Sequence, residues 1–109
     1  MPFEVQHGTI TALGFRVGPV AYLPDVSAMT PQSWAAIEGA ECWILDALRR
    51  TPHPSHTHLS QSLEWIAQAR VPLAILTNMH IDLDYDTLRK ELPDHIEPAF
   101  DGKTICYDI

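Results

Sequence analysis

The sequence predicts an α+β fold, with one mixed β-sheet whose helices lie mainly on one face, and three observations carry that reading. The opening stretch PFEVQHGTITALGFRVGPVAYLPDV is rich in β-branched and aromatic residues, and Gly8, Gly14, Gly18 and Pro19 punctuate it like a run of strands. The runs CWIL and LAIL are continuously apolar, as strands covered on both faces are. Only three modest helical patterns accompany them, enough to cover one face of a sheet of six or seven strands. A second apolar face is therefore expected to lack a cover within this chain.

In order along the chain, strands are expected near Phe3–Gln6, Thr9–Val17 and Val20–Leu23, with Gly18-Pro19 as a hairpin turn. Thr30 suits a helix N-cap, Pro31 the first helical position and Gly39 the residue past the end, with Trp34 and Ile37 on the buried side. CWILDAL forms the next strand and closes on Asp46. Leu59, Leu63 and Ile66 recur at helical spacing in HLSQSLEWIAQAR, which leads through Pro72 into the strand LAILT. Asp84 is placed to cap a helix over Tyr85–Leu92 that stops at Pro93. The stretch IEPAF-DG-KTICYD reads as a hairpin, with Asp101-Gly102 supplying the positive φ.

Length and composition set the outer bounds. With 109 residues, 46% of them hydrophobic, the chain suits a single domain over residues 1–109. A net charge of −7 opposes general attraction to nucleic acid or anionic membranes. Cys42 and Cys106 sit apart in apolar surroundings and read as buried free thiols of a reducing compartment. No leader-like or long apolar segment occurs, and a cytoplasmic location is the expectation.

Ligand-type side chains gather where predicted strands end. His7 follows the first, Asp25 follows VAYLP, Asp46 ends CWILD, and Asn78, His80, Asp82 and Asp84 follow LAILT. Each by itself is more economically a turn, cap or solvated residue; their common placement at strand ends suggests a site. The loop RRTPHPSHTHLS adds His53, His56 and His58. His53 reads as a solvated loop residue, whereas His56 and His58 are candidates for metal binding or for proton donation beside a metal.

The segments HG…GFRVG, VAYLPDVS, ILDALRRTPHPSHTHLSQSLEW, AILTNMHIDLDY and LP…IEPAFDGKTI, in this order, resemble the C-terminal half of metallo-β-lactamase-fold hydrolases. The branch most similar is that of the phosphonate-pathway cyclic phosphodiesterase and the transfer-RNA 3′-end nucleases. The resemblance implies half of an αββα sandwich, whose facing sheet comes from the first half. It implies a divalent metal site, zinc or manganese, with His7 and Asp25 as ligands and Asp25 bridging two ions. It also implies a leaving-group role for His56 or His58. Such families place a final metal-binding His directly after the Thr of the LT segment; here that position is Asn78, which offers at most a weak amide oxygen, and the imidazole of His80, two residues on, is the other candidate for the last ligand. The first-half signature His-x-His-x-Asp-His occurs nowhere in the 109 residues.

Two functions are consistent with these readings. One is a fragment of a metal-dependent phosphodiesterase that is inactive alone, with His7, Asp25 and His80 converging at one sheet edge. The other is a noncatalytic module with vestigial ligands that dimerises or pairs with a separate N-terminal half. In the first, a phosphodiester small molecule is the expected substrate class; neither involves a membrane, and nucleic acid is not favoured as a partner.

Overall fold

The computed structural model describes residues 1–80 and 83–107. Six strands form one sheet in chain order: β1 (Pro2–His7), β2 (Ile10–Val17), β3 (Val20–Leu23), β4 (Cys42–Asp46), β5 (Leu73–Thr77) and β6 (Ile96–Pro98). The first three pair antiparallel, and β3 through β6 pair parallel. The mixed sheet is thus as expected. The parallel steps are crossed by α1 (Pro31–Ile37), α2 (Leu59–Ala69) and α3 (Tyr85–Glu91).

Local signals account for most boundaries. Gly18 closes the β2–β3 turn with φ +55°. Thr30 caps α1 in a reciprocal box with Ser33: its Oγ1 accepts from the Ser33 N–H at 3.1 Å, and the Ser33 hydroxyl accepts from the Thr30 N–H at 2.6 Å. Ser33 is consequently fully buried, while Trp34, expected inside, is only half-buried against the core. Asp84 caps α3 through the Thr87 N–H.

Along β1 to β5, alternate side chains separate the two faces. Phe3, Val5, Ala21, Leu23, Trp43, Leu45, Ala74 and Leu76 point to the side where Ile37, Leu59, Ile66 and Leu88 arrive from the helices, and all are buried. On the other side Leu13, Phe15, Val17 and Tyr22 remain 39 to 49% exposed. Phe15 stands opposite Tyr22 in the β2–β3 register, and Tyr22 beside Ile44 in the β3–β4 register. The apolar second face is present and open over β2 and β3.

One element departs from expectation. Residues 103–107 form no strand with β6. Asp101-Gly102 does make a turn, with Gly102 at φ +87° and the Lys103 N–H donating to Phe100 O at 3.0 Å. The chain then crosses the second face instead of extending the edge: Phe100, Lys103 and Ile105 lie with Ile44 and Ile75 around one small recess, and Tyr107 comes beside Cys42, which is buried as expected, whereas Cys106, expected inside, is exposed. The physical reason is apolar burial. β6 is three residues long and ends in Pro98, which offers no N–H for a ladder, whereas Ile44 and Ile75 offer an apolar surface to cover.

Candidate metal centre

The topology explains where the site forms. Because β1 and β3 are each antiparallel to β2, they run in one direction, and β4, β5 and β6 run with β3. The ends of five strands therefore share one edge of the sheet, the place where open sheets with crossover helices present their ligand-binding loops.

His7, Asp25 and His56 meet at that edge, each offering a ligand atom within 4.8 Å of the others. His7 is the last residue of β1, Asp25 lies in the loop after β3, and His56 in the loop between β4 and α2. All three are half-buried, and the imidazoles of His7 and His56 pack edge to face at 4.6 Å between centroids.

Each imidazole is held by its Nδ1. His7 donates to Ser55 O at 2.5 Å. A carbonyl can only accept, so the proton is on Nδ1 and the lone pair on Nε2. His56 Nδ1 lies 2.7 Å from Asp46 Oδ2, and with Asp46 ionised the same tautomer results. A carboxylate or carbonyl behind the distal nitrogen is the usual support of a metal-binding histidine.

Asp46 is fully buried at the end of β4. Burial pushes its carboxyl up to about 6, against the opposing hydrogen bonds from His56, the Val26 N–H at 3.1 Å and Asn78. Sequence reading groups Asp46 with the ligand types but gives it no role. The signal is there, an acid closing an otherwise apolar strand, and the structure gives it the task of fixing His56.

The loops are braced on one another. Val26, buried beside Asp25, accepts from the Thr57 N–H at 2.6 Å, and Ser62 Oγ ties α2 to Asp46 O at 2.7 Å. Gly8 lets the histidine loop close on the β1–β2 turn: its φ is +65°, and an added Cβ would stand 2.9 Å from Ser55 Cβ.

The other candidates fall elsewhere. His80 is exposed, its N–H donating to Leu48 O at 2.6 Å, and among the described residues it does not join the group; His56 does. His58 is the N-cap residue of α2 and also stands outside the group. His53 accepts from the Ser55 N–H at 3.1 Å and stacks edge-on to His56; desolvation, then Arg49 and the neighbouring imidazoles, lowers its pKa. Asp84 serves as the α3 cap. Asp82 lies outside the described residues. A cleft of about 290 Å³ opens between the ends of β5 and β6, lined by Thr77, Asn78, Met79, Ala99, Phe100 and Asp101 and by none of the three grouped residues.

Two imidazoles with fixed tautomers and one carboxylate fit a divalent transition metal, and three such donors suffice for one ion with open positions. They are too few for two ions.

A mixed sheet in this strand order, with a His/Asp/His group on its shared strand ends, agrees with the half of a metallo-β-lactamase fold that the sequence resembles. The chain belongs to the family described as the beta-lactamase superfamily domain, whose sequence model matches residues 1–81. A solved structure described as a new diphosphatase from the PhnP family superposes at a TM-score of 0.96 with 31% identity, covering all of this chain and 43% of that one. A protein of Porphyromonas gingivalis (strain ATCC BAA-308 / W83) named octanoyltransferase is 29% identical over 110 residues, 98% of this chain and 22% of that protein. The chain thus spans less than half the length of either relative. Among the described residues no helix is long and apolar enough to cross a membrane.

Proposed function

We propose that this chain carries one metal-holding part of a phosphoester or phosphoanhydride hydrolase and turns over no substrate by itself. The observation that carries the reading is the convergence of His7, Asp25 and His56 within 4.8 Å, with both imidazoles anchored through Nδ1. The likeness to a diphosphatase supports phosphorus chemistry. The octanoyltransferase name belongs to a protein of which this chain matches 22%, so acyl transfer draws little support.

In this reading His7 and His56 bind through Nε2, Asp25 through a carboxylate oxygen, and Asp46 holds His56 from behind. A divalent ion, zinc or manganese, supplies Lewis-acid stabilisation at a phosphoryl oxygen when bound. The cleft beside Asn78 admits the rest of the substrate. With His56 turned toward the ligand group, proton donation to a leaving group falls to His58, His80 or a residue outside the chain. Three ligands leave a two-ion site incomplete, which is why the chain is expected to be inactive.

The open face over β2 and β3 favours a companion reading, that the chain works only when this face is covered by a separate first half or by a second copy. Zinc titration calorimetry on the metal-free chain tests the central claim. About one zinc per chain, lost in His7→Ala and Asp25→Asn, is expected; no binding, or binding untouched by both substitutions, overturns it. Turnover of bis-p-nitrophenyl phosphate that needs added metal and vanishes in Asp25→Ala would refute the claim of inactivity.

A further inference from the structure

We propose that Asn78 is a positioning residue for this metal group, one amide nitrogen that ties together the two chain segments bearing Asp25 and His56. The proposal rests on the metal-binding reading above and adds a role for a residue outside the ligand set.

Asn78 comes directly after the last residue of β5, with φ +60°, a left-handed conformation that Asn and Gly adopt far more readily than most residues. Its Nδ2 lies 3.3 Å from Pro24 O, the carbonyl directly before Asp25, and 3.5 Å from Asp46 Oδ1, the carboxylate that holds His56. Both neighbours are acceptors, so the amide nitrogen, not the oxygen, must face them. The same Nδ2 is 3.4 Å from His56 Nδ1, but that nitrogen already gives its proton to Asp46, and the approach is packing. One side chain thus touches both arms. The bonds are long ones; what they contribute is a shared anchor that keeps the Asp25 loop and the Asp46–His56 pair at a constant separation across the edge of the sheet. An amide suits the place better than an imidazole or a carboxylate. It presents two donor hydrogens to two acceptors and adds no charge beside Asp46.

Two substitutions separate positioning from ligation and from packing. Asn78→Gly removes the amide while suiting φ +60°. Asn78→Asp keeps the size and turns an acceptor toward Asp46 and Pro24 O. Both are expected to weaken zinc binding by about tenfold or more, as loss of a support behind a ligand does, with the thermal midpoint of the metal-free chain little changed. Tighter zinc binding by Asn78→Asp would mean that the side-chain oxygen is itself a ligand, and would overturn the proposal. So would unchanged affinity in either variant, or a loss confined to Asn78→Gly, which would assign the effect to packing. In the metal-free chain, the hydrogen-bonded His56 Nδ1 proton, followed by proton NMR, should exchange faster in Asn78→Gly. If the parent chain binds no zinc, the metal reading fails, and this exchange decides the role of Asn78: an unchanged rate overturns it.

Discussion

Single residues decide whether the ligand loops meet. Gly8 occupies a backbone conformation with φ +65° and lies against Ser55, the residue whose carbonyl holds His7. Gly8→Ala should destabilise the fold by about 1–3 kcal/mol through φ strain and the steric clash, and should weaken zinc binding besides; urea unfolding and calorimetry measure the two effects. Asp46 makes a prediction about pH. Its folded pKa, pushed up by burial to about 6 from 3.8, means that the folded chain holds this proton more tightly than the unfolded chain does. The resulting stability is full below about pH 4 and is lost as pH rises through about 6. The stability of the metal-free parent relative to Asp46→Asn, which keeps the neutral state throughout, should therefore decline between those values and level off above them. A flat difference across that interval would show that Asp46 is ionised in the fold from low pH onward.

At the scale of elements, the caps carry separable energies. Thr30→Ala removes one half of the Ser33 box at the start of α1 and should cost about 1 kcal/mol, measured as a lower urea midpoint with unchanged slope. Helix α2 ends on Arg70 in a left-handed conformation, φ +56°, a strained place for a residue with a Cβ. Arg70→Gly should stabilise the chain by roughly 1 kcal/mol, because glycine takes this conformation without strain. An unchanged midpoint would mean that the Arg70 side chain contributes as much as its backbone costs. The strands β4 and β5 show why an apolar run is a good predictor when both faces are covered: helices pack on one face and the 99–107 segment crosses part of the other.

For the whole molecule the open face is the dominant fact. Leu13, Phe15, Val17 and Tyr22 form a patch on adjacent strands, and apolar surface left in water costs about 25 cal/mol per Å² relative to burial. The isolated chain should therefore associate at micromolar concentration, and light scattering should report a dimer or larger species. Replacing Leu13 and Phe15 by Lys should restore the monomer with little loss of stability, since neither contributes to the helix-side core. A parent chain that stays monomeric throughout would show that the patch is too small to drive association.

The strand and helix order, the caps of α1 and α3, the mixed sheet and the surplus of apolar strand surface are all legible in the residue pattern, because each depends on short windows of the chain. The role of His7 and Asp25 as neighbours was also legible, from their common placement at strand ends. Which histidine would join them was not. His56 and His80 are equally good imidazoles on paper; the choice between them depends on where Asp46, 10 residues from the His56 it holds, stands in space. The final segment escapes sequence reasoning for the same kind of reason. A turn sequence such as Asp101-Gly102 reverses a chain, but whether residues 103–107 pair with the edge or cross the face is decided by the apolar surface that β4 and β5 present, and only the tertiary structure supplies that surface.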